Sequence, residues 1–230
     1  MRHSAPRSFS HTLLACISIA ATAAVVGFQF GATRDDGGPS DDQAEAMAAL
    51  AAYATPGSMQ EFLARRVGRW NGALEMWPAP GAEAITGTGV ATYTMDLGGR
   101  YLVERNESLW MGQPFVGLGW TGYDNSRKVF QYSWIDTMGT GIARGEGTLN
   151  EAGTVLNWTS IMTDPVKGAL ASYRSTDTWL DANTMESIMF GVGTDGAEYR
   201  MMRIVLARDT STSPPATDAA ATPQLGAQGK

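Results

Sequence analysis

Trp134-Ile135-Asp136-Thr137-Met138-Gly139-Thr140-Gly141 is the densest run of chemistry-bearing side chains in this sequence: an aromatic-rich segment that reaches an acid and passes into a glycine-rich turn. Asp136 has two roles open to it there. It can accept N–H groups of the turn, or it can face a ligand with Trp134 beside it. Glu104, Glu146 and Glu186 stand within segments of strand character rather than in turns. On an outer face they would pair with Arg105, Arg144, Arg174 or Arg200 as surface ion pairs worth under about 1 kcal/mol each. If two pointed inward, one would stay protonated beside an ionised partner, the arrangement of a general acid. In residues 100–107 Leu102 shares a face with Glu104, whereas Tyr101 and Val103 share the other with Arg105 and Glu107, so a period of two allows either orientation. The ligand-contact candidates are therefore Trp134, Asp136, Glu104, Glu146 and Tyr101. Tyr123-Asp124-Asn125 reads as a hairpin turn.

Absent atoms exclude more chemistry than any motif adds. Cys16 is the sole cysteine, and His3 and His11 are the sole histidines. Beyond Cys16 there is no thiol or imidazole for Ser-His-Asp or Cys-His catalysis. Cys/His zinc sites and a haem held by histidine or cysteine are excluded likewise. No cofactor and no metal site are expected. A net charge of -6 with only three lysines, Lys128, Lys167 and Lys230, also argues against nucleic acid as a partner.

The elements that must position these candidates begin after an apolar run. Leu13 to Phe30 carries no formal charge, and its eighteen residues make about 27 Å of helix, enough to cross a bilayer core. Arg2, His3 and Arg7 precede the run, and Arg34, Asp35 and Asp36 follow it. The expectation is a cytoplasmic basic N-terminus over 1–12, a membrane anchor over 13–30 and a domain outside the cytoplasm, periplasmic or extracellular. Small residues at Ala21-Thr22-Ala23 offer the alternative of a cleaved secretory signal, which would release the domain. Leu13-Leu14-Ala15-Cys16 is similar to the lipobox of bacterial lipoproteins, a third way to the same side of the membrane.

Residues 31–57 read as a flexible linker that includes an Ala-rich helix over 43–54, stopped by Thr55-Pro56-Gly57. A short helix follows, with Ser58 as N-cap and Glu61 at the capping-box position, and with Met59, Phe62, Leu63 and Val67 on one stripe. From about 68 to 208 the period changes to two, in ten stretches centred near 73, 90, 105, 119, 131, 145, 158, 176, 188 and 203. Pro78–Gly81, Leu97-Gly98-Gly99, Gly112-Gln113-Pro114, Asn150–Gly153 and Thr194-Asp195-Gly196 are among the turn signals between them. The predicted fold is mainly β: an antiparallel up-and-down barrel of about 8–10 strands over 58–208, entered through the short helix and closed to remove its edges. The Thr-, Ser-, Pro- and Ala-rich stretch 209–230 reads as a disordered tail.

Gly68-Arg69-Trp70 is similar to the Gly-x-Trp that opens the barrel of lipocalins and the wider calycin group. That resemblance implies that Trp70 closes one barrel end under an arginine of the last strand, Arg203 or Arg208 here. Leu97-Gly98-Gly99-Arg100-Tyr101-Leu102-Val103-Glu104, Gly122-Tyr123-Asp124-Asn125, Trp134 to Gly141, Gly145-Glu146-Gly147 and Thr163-Asp164-Pro165 occur in one order. Together they resemble the domain-of-unknown-function 1579 family over most of residues 58–208. The resemblance implies an exported or cytosolic β-barrel with no assigned activity. Haem-binding calycins use an axial histidine that this chain lacks, so that role is not carried over.

All seven tryptophans and ten of the twelve methionines lie within 58–208. They would fill a core, or line a cavity for a small hydrophobic or amphipathic ligand. The expected function is ligand binding by a membrane-tethered barrel. The alternatives are a carboxylate-dependent hydrolase or isomerase in the cavity, and an interaction module with a filled core.

Overall fold

Threonine, valine and aromatic residues alternating with small ones dictate extended chain, and ten such stretches become ten strands. The computed structural model describes residues 40–211. The expectations for 1–12 and 13–30, and for the tail beyond 211, lie outside the described residues. No helix among the described residues is long and apolar enough to cross a membrane. The barrel lies in the compact unit that begins at Ala44.

Two helices, α1 (Asp41–Ala54) and α2 (Ser58–Ala64), precede the strands. The strands are β1 (Gly68–Met76), β2 (Ile85–Asp96), β3 (Tyr101–Trp110), β4 (Gln113–Asp124) and β5 (Val129–Asp136), then β6 (Ala143–Leu149), β7 (Val155–Asp164), β8 (Ala169–Asp181), β9 (Thr184–Val192) and β10 (Glu198–Arg208). Each contains its predicted centre. Every strand pairs antiparallel with its neighbours in sequence, and β1 pairs with β10, so the sheet is a closed ten-stranded barrel with no free edge. The cap of α2 differs from expectation. Gly57, not Ser58, is the N-cap, and Gln60 rather than Glu61 reaches back to accept the Gly57 N–H at 2.8 Å.

Register fixes which side chains face inward. Trp70 pairs with Arg208 and Ala91, and Tyr93 with Glu104. Glu104 opposes Gly119, which opposes Trp134, and Trp158 opposes Gly147 and Ser175. Side chains alternate along each strand, so Glu104, Asn106 and Ser108 share the interior face of β3, and Tyr101, Arg105 and Glu107 the exterior.

The interior is packed at one end only. Trp70, Met95, Leu102, Phe130, Leu156, Trp179, Met185 and Leu206 are buried near the end that α2 covers with Leu63. Toward the other end, inward positions such as Leu74, Met76, Trp110, Phe115, Met162, Met189 and Met202 are only half-buried. The closed end is also tied by polar contacts. Gln60 donates to the Tyr123 carbonyl at 3.2 Å, and Asn125 Nδ2 donates to the carbonyls of Ala52, Tyr53 and Thr55, so the 124–125 turn holds the end of α1.

Trp70 is the plug. Its indole N–H donates to the Arg66 carbonyl at 2.8 Å, its ring meets Trp179 edge-on at 5.9 Å, and the Arg208 guanidinium lies 4.1 Å from its ring centre. Arg203 does not supply this cover. It projects outward and bridges Glu75 and Glu186 at 3.0 and 2.7 Å. Arg203 and Arg208 are five residues apart on one strand and so stand on opposite faces.

Candidate functional site

Above the packed floor the barrel interior holds a cluster of charged and polar side chains, assembled from elements far apart in sequence. Arg66 lies between α2 and β1 and enters from the closed end. It pairs with Asp177 of β8 at 2.6 Å, the two side chains being 11% and 15% exposed. Asp177 is also the acceptor for two neighbours: Trp158 Nε1 at 3.0 Å on the same oxygen as Arg66, and Ser187 Oγ at 2.6 Å on the other. Burial alone would raise the Asp177 pKa, but Arg66, Ser187 and Trp158 outweigh it and hold the carboxyl below its ordinary value. Arg66 loses to burial and gains more from Asp177, so its pKa lies above the usual one and it stays charged.

Glu104 stands beside this pair in a different state. Burial pushes its pKa up, and the Arg66 charge, the Tyr93 hydroxyl and the Asn106 side chain offset only part of that. Tyr93 itself is pushed well above the ordinary tyrosine value, first by burial and then by the Glu104 charge, so it remains a donor. A little deeper around the wall, Tyr132 donates to Ser160 at 2.6 Å, and Tyr132 packs edge-on against Trp158 at 5.0 Å. Among the described residues no buried side-chain polar atom lacks a partner.

Nearer the open end, β5 brings Trp134 and Asp136 inward. The Trp134 ring lies across Gly117 and Gly119 of β4, where a Cβ at Gly117 would fall inside the ring's van der Waals envelope and one at Gly119 would sit 3.1 Å from it. Trp134 Nε1 donates to Asp136 Oδ2 at 2.8 Å, and the Met138 N–H donates to Oδ1 at 2.8 Å. Asp136 therefore caps its turn, one of the two roles the sequence left open, from the interior face of β5.

Of the candidates read from sequence, Glu104, Trp134 and Asp136 share the interior and Tyr101 and Glu146 do not. Tyr101 is 43% exposed on the outer wall, over Gly122. Glu146 forms an outer ion pair with Arg127 and accepts from Gln131 at 3.1 Å, contacts that lower its pKa. Glu186 is outward too, held by Arg203. Arg66, Tyr93 and Asp177 were missed by sequence reasoning. Trp179, two residues beyond Asp177, carried the signal: the inward phase of a buried tryptophan places Asp177 inside. Among the described residues no group of three acid, cysteine or histidine side chains is set to hold a metal.

A shallow concavity of about 750 Å³ also runs along the wall of β10, β1, β2 and β3, between Ala73, Thr88, Val90, Leu109 and Val205. It opens on the outer face, away from the polar cluster.

Both Asp177 oxygens are occupied by three donors, and both Asp136 oxygens are occupied as well. Glu104 is then an acid without a second carboxylate ready to act as base or nucleophile beside it.

Comparison with known proteins agrees with the architecture. The crystal structure of Rv2717c from M. tuberculosis superposes with a TM-score of 0.51 at 12% sequence identity, covering 67% of this chain and 99% of that one, a likeness of fold alone. A redesigned β-barrel aligns at a TM-score of 0.35 and 14% identity over 66% of this chain and 99% of its own. No curated protein matches the chain. The family profile described as a protein of unknown function, DUF1579, matches residues 55–208, so the chain belongs to the DUF1579 family.

Proposed function

We propose that the barrel binds a small amphipathic ligand in its open half, on a domain exported and held at a membrane by residues 13–30. The observation that carries the reading is the contrast along the barrel axis. Inward side chains are buried at the α2 end, whereas those at the other end are half-buried, apolar or thioether-rich, and stand above Glu104, Asn106 and Trp134. An apolar wall with a few convergent polar groups is the composition of a small-molecule site. Methionine side chains such as Met189 and Met202 adapt to ligands of different shape. A ligand would lay its apolar body against that wall and direct a hydrogen-bonding end toward Glu104 and Asn106. Binding is favoured over catalysis because Asp177 and Asp136 spend their oxygens on the fold.

Support for the tether is the uncharged run Leu13–Phe30, bounded by basic residues before it and acids after it. The full chain, made in an exporting host, is expected to stay with membranes through an alkaline carbonate wash. Extracted gently and compared by native and denaturing mass spectrometry, it is expected to carry a mass excess in the native spectrum alone. Release by carbonate would overturn the anchor. A bare polypeptide mass in every native preparation would overturn the ligand.

A further inference from the structure

The two ends of the barrel differ outside as well as inside. At the open end, Leu109 and Met111 flank the β3–β4 turn, Met138 and Ile142 the β5–β6 connection, and Val166 and Leu170 the β7–β8 turn. These six side chains are 63–94% exposed. Three connections at the closed end are polar instead, Asn125-Ser126-Arg127-Lys128, Asn150-Glu151-Ala152-Gly153 and Ala182-Asn183, and the fourth, Leu97-Gly98-Gly99-Arg100, carries one exposed apolar side chain, Leu97. Turn tips ordinarily carry Gly, Asn, Asp and Ser for conformational reasons. Val166, Met111 and Ile142 serve no such purpose, and nothing within the barrel covers them. Three successive hairpins therefore present apolar tips around one rim.

We infer that this rim docks on the surface of a lipid bilayer, with the six side chains entering the interfacial region. Separated side chains on convex tips fit acyl chains, which conform to each protrusion, better than they fit a folded partner, which needs a matched concave surface. Charge gives the same choice of force. The chain is acidic at -6, so attraction to anionic headgroups does not drive docking, and apolar insertion must. Chain length permits it beside the proposed anchor. Residues 31–39 extend to about 30 Å at most, and the fourteen residues of α1 add about 21 Å. A ten-residue strand tilted in a barrel stands only about 25 Å tall. The inference needs no ligand in the lumen and is tested without one.

The experiment uses the full chain in phosphatidylcholine vesicles whose lipids carry bromine near the glycerol end of the acyl chains. Bromine quenches tryptophan only at short range, and Trp77 and Trp110 stand at the open end. Docking predicts a partial loss of tryptophan emission. The loss should persist in high salt and should not increase with phosphatidylglycerol. The triple variant Met111→Asp, Ile142→Asp, Val166→Asp, altered only at exposed tips, should restore emission without a change in thermal midpoint beyond a few degrees. Leu97→Asp with Leu180→Asp, at the other end, should leave quenching intact. An unquenched wild type, or a triple variant quenched like wild type, would overturn docking. So would self-association in detergent that the triple variant abolishes, which would assign the rim to a second copy of the chain.

Discussion

Asp177→Ala is expected to lower the unfolding free energy by about 3–5 kcal/mol, among the larger losses a single substitution produces. The reason is the number of groups that depend on one carboxylate. Without it, the Arg66 guanidinium loses its paired carboxylate and keeps only Glu104, whose own charge burial disfavours, and the Trp158 N–H and the Ser187 hydroxyl lose their acceptor. An orphaned buried charge costs far more than the pair is worth against apolar side chains of similar size. The double variant Arg66→Met, Asp177→Leu should therefore recover the part of the loss that the orphaned charge causes, although it removes two charges instead of one and leaves Trp158 and Ser187 without their acceptor. Urea unfolding followed by near-ultraviolet circular dichroism measures both, with an unchanged m-value showing that the same surface is exposed. A loss below about 1 kcal/mol for Asp177→Ala, the level of a surface pair, would contradict the buried network.

The second large effect is a pH dependence in which two neighbouring acids act with opposite signs. Asp177 has a lowered pKa in the folded chain. It contributes stability that is present above the unfolded aspartate value of about 3.9 and is lost as pH falls toward its folded value. Glu104 has a raised pKa, chiefly because burial disfavours its charge. Between the unfolded glutamate value of about 4.3 and its own, the native state holds more protons than the unfolded one, so stability falls as pH rises. One group gives a slope of at most about 1.4 kcal/mol per pH unit. Glu104→Gln removes that limb and keeps the Asp177 limb. Urea midpoints taken from acid to neutral pH should show the variant gaining on wild type as pH rises through the window, then running parallel above it. Parallel curves at every pH would place Glu104 in ordinary solvent.

These two acids also show where the sequence was legible. The ten strand centres could be read because threonine, valine and aromatic residues alternate between strong turn signals, and a barrel follows from ten such strands with edges to hide. Glu104 was a candidate, but β3 carries apolar and charged residues on both faces, so its direction depended on pairing with Tyr93 of β2, which no local pattern reveals. Glu146 was readable in hindsight: Gly145 and Gly147 on either side leave room for the rings of Tyr132 and Trp158, which turns the glutamate between them outward. Arg66 was the hardest, since it lies in no strand and enters the barrel only because α2 folds across its end. Trp70 was recognised as the plug, but the spacing from Arg203 to Arg208 says only that one of them faces inward, and pairing with β1 makes it Arg208.

The central claim is that the open half of the barrel is a cavity over a polar floor, and filling its mouth tests this most directly. Ala171 of β8 shares the interior face with Tyr173 and Ser175, opposite Met162, and is half-buried. The measurement is the thermal midpoint of full-length Ala171→Trp together with its native mass. A midpoint within a few degrees of wild type, with the native mass excess gone, is the result this account predicts. A fall in midpoint equivalent to about 1–3 kcal/mol, the penalty for overpacking a filled interior, would show that the region is solid core and contradict the claim.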